Sequence, residues 1–249
     1  MSQKPRVLLL AETYHPVLGG GEKHTRSLAL GLAERGHPVQ VITRRSSADL
    51  QEREQDQGVL VHRVGEPGTG RGRKFGMIPA AYRLARRLAR ESDVLMNGGT
   101  RVLALPARLA VRGTRTALVL RPELNGELDG SLALWGRKPS SAALAVVFSL
   151  ARVRNALLGR TDAVIAISRA IAEEAAASGF PASRVRHIPH GIDMTEYAPA
   201  DPELRRARRR ALKLPEDKQL VTYTGRLIQG KGLETLFEAW RALRDVPDL

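Results

Sequence analysis

The chain has 249 residues, with 40 Lys and Arg against 26 Asp and Glu and a formal net charge of +14. Its 43% hydrophobic content suits a globular protein of one large or two modest domains, and the absence of cysteine excludes disulfides and thiolate metal sites. None of the six histidines (15, 24, 37, 62, 187 and 190) pairs at i,i+4, so no metal site is predicted.

The first residues, Met1-Ser2-Gln3-Lys4-Pro5, run directly into a strand-like segment, which is unlike a secretory signal. The longest apolar run, Ala142 to Leu150, is shorter than a bilayer-spanning helix requires. The expectation is a soluble, cytoplasmic chain. The charge is unevenly placed, with no acidic residue from Pro67 to Arg90 or from Gly130 to Thr161. A field of this sign draws polyanions such as nucleic acid, anionic headgroups or phosphorylated substrates, and it equally describes a solvated basic surface.

In chain order, Arg6 to Ala11 is a continuous apolar run, the pattern of a strand buried on both faces of a parallel sheet. After Tyr14-His15-Pro16 come Gly19-Gly20-Gly21 and a helix predicted from about Glu22, with Gly36 placed as its left-handed cap. Val39–Thr43 is the next strand, completing a βαβ unit with a glycine-rich first loop. The alternation continues with strands at Val59–Val64, Asp93–Met96, Thr116–Leu120, Ala163–Ile167 and Val185–Ile188. Helices are expected at Met77–Arg90, Val102–Arg112, Ala142–Leu158 and Arg169–Ser178. This order predicts an α/β fold, a Rossmann-like doubly wound parallel sheet with helices on both faces.

A break follows Pro189-His190-Gly191-Ile192-Asp193. Asp201-Pro202-Glu203 reads as an N-cap with proline in the first helical position. A strand at Gln219–Thr224 and a helix from Lys231 then follow. The predicted division is a domain over 1–197 and the start of a second Rossmann-like domain over 198–249.

Four constellations carry candidate chemistry. Gly19-Gly20-Gly21 is either a tight turn or a cradle that lets phosphate or sugar approach the backbone at a helix start. Gly225-Arg226 with Lys231-Gly232 sets a guanidinium and an ammonium beside another helix start, a pairing suited to a diphosphate that gains charge as it departs. The alternative is a surface arginine and a helix-entry lysine. The loop Arg121-Pro122-Glu123-Leu124-Asn125-Gly126-Glu127 follows a strand, at the edge where open α/β sheets bind ligands. Glu123 and Asn125 are its substrate-side candidates, and a solvated loop is the alternative. Over Ala81–Ala89 an apolar face is set against Arg83, Arg86, Arg87 and Arg90. That is a covering helix whose arginines face water, with a membrane-surface role compatible but not required. Ser168 is read as an N-cap, and neither His24 nor His190 has a partner identifiable in the sequence.

Lined up, these segments resemble retaining glycosyltransferases of family 4, which have the GT-B fold. The matching pieces are Tyr14-His15-Pro16 leading to Gly19-Gly20-Gly21-Glu22, Leu32-Ala33-Glu34-Arg35-Gly36-His37-Pro38-Val39-Gln40-Val41, Ala166-Ile167-Ser168, Val185 to Asp193, and Tyr223-Thr224-Gly225-Arg226-Leu227 with Lys231-Gly232. The resemblance implies two Rossmann-like domains facing a cleft. The second holds most of a nucleotide-sugar donor and the first holds the acceptor. It places Gly225, Arg226 and Lys231 at the donor diphosphate, with Gly20 and Gly21 close to it, and it implies metal-independent transfer with retention. The nucleotide-diphosphate sugar is a co-substrate, no cofactor is implied, and no catalytic residue is assigned.

Three departures stand out. The family's paired glutamates of the donor domain are absent from these 249 residues, Arg121-Pro122-Glu123 replaces a histidine often found after that strand, and His190 stands where asparagine is commoner. The chain is therefore expected to be a piece of a longer enzyme with little activity of its own. The implied partners are a nucleotide-sugar donor and a glycan or lipid-linked acceptor, and the acid-free windows separately suggest peripheral contact with the anionic inner face of a membrane.

Two other classes fit less well. An NAD-dependent oxidoreductase would share the fold class, but the dinucleotide glycine fingerprint is missing and Thr43-Arg44-Arg45 stands where an acidic residue would follow the second strand. A nucleic-acid-binding protein rests on charge alone, since aromatics make up 4% of the chain and stacking platforms are lacking; no nucleic acid is expected.

Overall fold

In a computed structural model, which describes residues 3–134, 136, 139–225, 227 and 231–244, the chain divides into two compact units, Met1–His190 and Gly191–Leu249. The first contains β1 (Val7–Ala11), α1 (Gly20–Glu34), β2 (Val39–Arg44), β3 (Arg53–Asp56), β4 (Val59–Val64), α2 (Arg71–Gly76) and α3 (Ile78–Ala89). After these come β5 (Val94–Gly98), α4 (Ala104–Ala110), β6 (Ala117–Arg121), α5 (Ser141–Leu158), β7 (Ala163–Ala166), α6 (Arg169–Ala177) and β8 (Val185–His187).

The strands form one sheet in the order β3-β4-β2-β1-β5-β6-β7-β8. All neighbours are parallel except the β3–β4 hairpin. The chain winds outward from β1 in both directions, so the β1–β5 boundary is the topological switch point where such sheets open a crevice at their carboxyl ends. Alternate residues of β1 enter opposite layers. Leu8 and Leu10 join Ile42, Leu118 and Leu120 under α3 and α4, whereas Val7 and Leu9 join Val41, Val59, Val61 and Ala29 of α1. Two-sided burial is why the strand reads as an unbroken apolar run.

Several local expectations are met. Gly36 takes φ 80° after α1, the Ser168 hydroxyl accepts from the Ile171 amide at the start of α6, and α3 buries Ala81, Ala85, Leu88 and Ala89. One arginine of α3 does more than face water. Arg86 Nη1 donates to the carbonyls of Ala110 and Arg112, satisfying acceptors that the end of α4 leaves open.

Three expectations are corrected. Strand β3 was not foreseen, because Arg-Glu-Gln-Asp has no apolar alternation. It forms through a two-residue hairpin in which Gln57 and Gly58 both have positive φ, 50° and 89°, the geometry that matches strand twist. The predicted strand Gln219–Thr224 is not formed. A strand needs a neighbour to complete its ladder, and the described residues of the second unit contain none. The helix expected over Ala142–Leu158 forms as α5, and what is corrected is the reading that its apolar stretch is too short to span. Its 18 residues have mean hydropathy 1.4, long and apolar enough by length and composition to cross a membrane, yet only 17% of them are buried.

The second unit contributes α7 (Pro202–Ala211) and α8 (Leu233–Ala242). Asp201 caps α7 by accepting from the Leu204 amide at 2.8 Å. Arg209 is buried, its Nη1 donating to the carbonyls of Pro215, Glu216 and Lys218.

Candidate functional site

The residues that converge at the carboxyl edge of the first unit's sheet come from four connections. After β1 the chain turns into α1 through Gly19, Gly20 and Gly21. The reason for glycine differs along this turn. A Cβ on Gly20 would meet nothing within 4 Å, but one on Gly21 would stand 2.6 Å from Glu123 Oε2, and one on Gly19 would collide with the Glu22 carboxylate. Gly21 is therefore small because the loop after β6 leans on it. Gly98, after β5, is constrained similarly, with Glu123 Oε1 3.3 Å from where its Cβ would lie.

Arg121, the last residue of β6, is the centre of the cluster and is 2% exposed. Its Nη2 donates to Glu123 Oε1 at 2.8 Å and to Thr25 Oγ1 at 3.2 Å, and its Nη1 lies 3.3 Å from His190 Nε2. A guanidinium can only donate, so His190 Nε2 must accept and that ring must be neutral with its proton on Nδ1. His190 in turn stacks on His24 of α1, ring centroids 3.7 Å apart and planes within 13°. Burial and the Arg121 charge lower the pKa of both rings, and for His24 the value falls to about 4, with the His190 ring adding a smaller push. Both are therefore neutral near pH 7. Burial also raises the Glu123 pKa; Arg121 opposes that, and Glu127, Glu22 and Glu12 reinforce it.

The loop carrying Glu123 is held from below. The buried Glu127 carboxylate accepts from the Thr100 amide at 2.6 Å, the Thr100 hydroxyl at 2.9 Å, and the amides of Leu124 and Glu123 at 3.2 and 3.3 Å. Glu174 of α6 accepts from the amides of Gly126, Leu128 and Asp129. The geometry thus gathers a carboxylate, a buried guanidinium and two neutral imidazoles into one cluster next to a glycine turn. Two atoms there are buried without a partner, Arg121 Nε and Asn97 Oδ1. Such a set can hydrogen-bond a hydroxyl-rich or anionic group while excluding competing water.

Of the residues named from sequence, Gly21 and Glu123 are brought together, and Gly20 lies beside them with open space at its Cα. Asn125 is exposed on the same loop. Gly225 and Lys231 lie in the second unit, Lys231 exposed directly before Gly232, which starts α8 in the left-handed region at φ 72°. Arg226 falls outside the described residues.

Sequence reasoning missed the pairing of His24 with His190 and the part played by Asn97-Gly98. The available signal was topological. His24 lies in the first turns of the helix after β1, His190 follows β8, and Asn97 and Gly98 end the strand beside the switch point, so all four sit at one edge.

The sequence model of Glycosyltransferase Family 4 matches residues 18–196. The glycosyl transferase WcaI of Escherichia coli strain K12, whose name places it in colanic acid biosynthesis, is 27% identical over 97% of this chain and 64% of its own length. Among solved structures, sucrose-phosphate synthase from Thermosynechococcus elongatus superposes with a TM-score of 0.68 at 20% identity, covering 96% of this chain and 60% of that one. Anabaena HepE in complex with UDP-glucose gives 0.63 at 18% identity, covering 98% and 58%. The chain therefore spans about three-fifths of the length of the relatives it matches. At these identities the structural likeness speaks for the fold alone.

Proposed function

The chain belongs to glycosyltransferase family 4, and from that premise we propose that it serves an enzyme transferring a hexose from a nucleotide-diphosphate sugar, with retention, to a glycan or lipid-linked acceptor of the cell envelope. The observation that carries the reading is the polar cluster at the carboxyl edge of the sheet, where the Gly20-Gly21 turn adjoins Glu123, Arg121 and the two histidines. A glycine turn there leaves the backbone open to a phosphate or sugar. The Glu123 carboxylate is an acceptor for sugar hydroxyls, and Arg121 holds it in place.

On this reading Arg226 and Lys231, with the backbone of Gly225, neutralise the diphosphate as it leaves, and the acceptor attacks from the face the diphosphate vacates. Charge stabilisation of a departing diphosphate is worth several kcal/mol when its cations are positioned in advance, typically about 3 to 4 for one lost contact. WcaI supports the envelope setting by its name, and the HepE complex supports a uridine diphosphate sugar as the donor class. The enzyme works in the cytoplasm, at the inner face of the membrane, where an anionic lipid surface is its further partner.

The test is titration calorimetry with UDP-glucose and related nucleotide sugars on the chain and on its Arg226→Ala/Lys231→Ala variant. The expected result is measurable binding weakened by about tenfold or more in the variant. Equal affinity in both proteins, or response to NAD in place of a nucleotide sugar, overturns the reading.

A further inference from the structure

Helix α5 turns its apolar side the wrong way for a covering helix. Ala151, Asn155 and Leu158 face the unit, whereas Val146, Leu150, Val153 and Leu157 are each between 58% and 65% exposed. Their spacing of four, three and four residues puts them on a single stripe, one above another along the outer surface. Four large aliphatic side chains in one exposed row are more than the scattered apolar residues any soluble surface carries.

The ground next to this stripe is basic. At the end of α5 an apolar cleft of about 410 Å³ is lined by Leu105, Leu109 and Leu157 together with Arg108, Arg112 and Arg160. A second, of about 390 Å³, adds Arg115 and Thr114 to the same arginines. Asp162 lines this second cleft, but its carboxylate accepts from the Leu118 amide at 2.8 Å. None of these four arginines is paired with a carboxylate among the described residues, and the buried Nε of Arg108 has no partner. Acidic residues are absent from 94–122 and from 130–161, so both segments that build the face are free of opposing charge.

We propose that the outer stripe of α5 and the arginines where α4 meets the end of α5 form a docking face for an anionic phospholipid bilayer. The apolar stripe enters the boundary between headgroups and acyl chains, and lipid phosphates sit on Arg108, Arg112, Arg115 and Arg160. The proposal rests on the reading above that the enzyme meets a membrane, and it assigns the surface that does so. A bilayer is the partner that answers both halves of the face. Nucleic acid would satisfy the arginines and leave the aliphatic row in water. The helix lies in the interface rather than crossing it, because spanning would strip Ala151, Asn155 and Leu158 from the core they pack into. Arg154 is also committed to the protein, donating to the carbonyls of Glu127 and Leu128.

The test is flotation of the 249-residue chain with phosphatidylcholine vesicles, with and without phosphatidylglycerol, at low and high salt. Two variants are compared, Leu150→Ser/Val153→Ser and Arg112→Gln/Arg115→Gln/Arg160→Gln. All five positions are exposed, and circular dichroism checks that the fold persists. The expected result is binding to phosphatidylglycerol vesicles that high salt weakens, with partitioning reduced about tenfold by either variant. Binding of all three proteins alike overturns this face and leaves the membrane as a partner. Absence of flotation in the parent chain removes both. A parent chain that sediments as a dimer and becomes monomeric in Leu150→Ser/Val153→Ser, with flotation unchanged, assigns the stripe to a second copy and overturns the proposal.

Discussion

His24 and His190 lie ring on ring, 3.7 Å apart, with the Arg121 guanidinium donating to the outer nitrogen of His190. Stacking two imidazoles beside a fixed cation is tolerable only while both rings are neutral. Burial, Arg121 and His190 lower the His24 pKa from 6.5 to about 4. In the unfolded chain His24 takes up a proton at its ordinary value, so between about pH 6.5 and pH 4 the unfolded state binds more protons than the folded one. Stability contributed by this site is complete above that window and is lost as pH falls through it. Because the ring retains part of its hydration, the loss is put at about 1 to 2 kcal/mol. Urea denaturation at a series of pH values should show this decline, and His24→Gln should flatten it. An NMR titration placing His24 at its ordinary value would contradict the stacked geometry.

Gly21 and Glu123 are coupled by space. A methyl at position 21 would reach within 2.6 Å of Glu123 Oε2, and that carboxylate is tethered to Arg121 at 2.8 Å. Gly21→Ala therefore pushes Glu123 off its guanidinium. That partly cancels the roughly 0.5 to 1 kcal/mol that alanine gains over glycine within a helix. In a Glu123→Ala background the clash is gone and the gain is realised. A double-mutant cycle in urea should thus give Gly21→Ala a more favourable effect in the second background, by about 1 kcal/mol. Additive effects would mean that the two residues do not meet.

The different fates of these residues in sequence reading have a physical basis. Two-sided burial leaves an unmistakable mark, so β1 and the doubly wound order were legible, as were caps such as Ser168 and Gly36, whose signals are local. Strand β3 was hidden because a polar edge strand needs no apolar alternation and its turn uses Gln-Gly in place of Asn-Gly. Gln219–Thr224 failed for the opposite reason: propensity was present, and among the described residues a pairing neighbour was not. In the site, the glycine turn and Glu123 could be named because loops after strands are where ligands bind. The His24–His190 stack depends on residues 166 positions apart, a separation that no local spacing encodes.

Glu127 holds the loop after β6 in place through four hydrogen bonds to Thr100, Glu123 and Leu124. It is 4% exposed, so its removal leaves several buried donors without acceptors. Glu127→Ala should lower stability by about 2 to 4 kcal/mol, and Glu127→Gln by less, because one amide oxygen can still accept. Urea midpoints for the two variants check this. Hydrogen exchange should accelerate at Thr100, Glu123 and Leu124 specifically. A loss under about 0.5 kcal/mol in Glu127→Ala, the range of ordinary surface changes, would show the loop to be held by other contacts.

Asp56 performs the corresponding task on the other side of the glycine turn. Its carboxylate receives both Arg26 Nε and Nη2 at 2.8 Å, and the Tyr14 hydroxyl at 3.1 Å. It thereby ties the end of β3 to α1 and to the segment leading into Gly19. The Asp56 pKa is lowered, first by the Arg26 hydrogen bonds, with burial opposing and Tyr14 assisting. Its stabilisation is therefore present above the ordinary carboxylate value and fades as pH falls below it. Tyr14 is shifted the other way, its pKa raised mainly by burial, so it remains a donor at all working pH values. Asp56→Ala strands a bidentate arginine and a buried hydroxyl and should cost about 2 to 3 kcal/mol at pH 7, with the difference from the parent narrowing toward pH 3. Asp56→Asn keeps the Tyr14 acceptor and loses the charge, so it should fall between the two. If Asp56→Ala is no less stable than the parent at neutral pH, Arg26 has found water as an equal partner and the brace beneath the glycine turn contributes nothing.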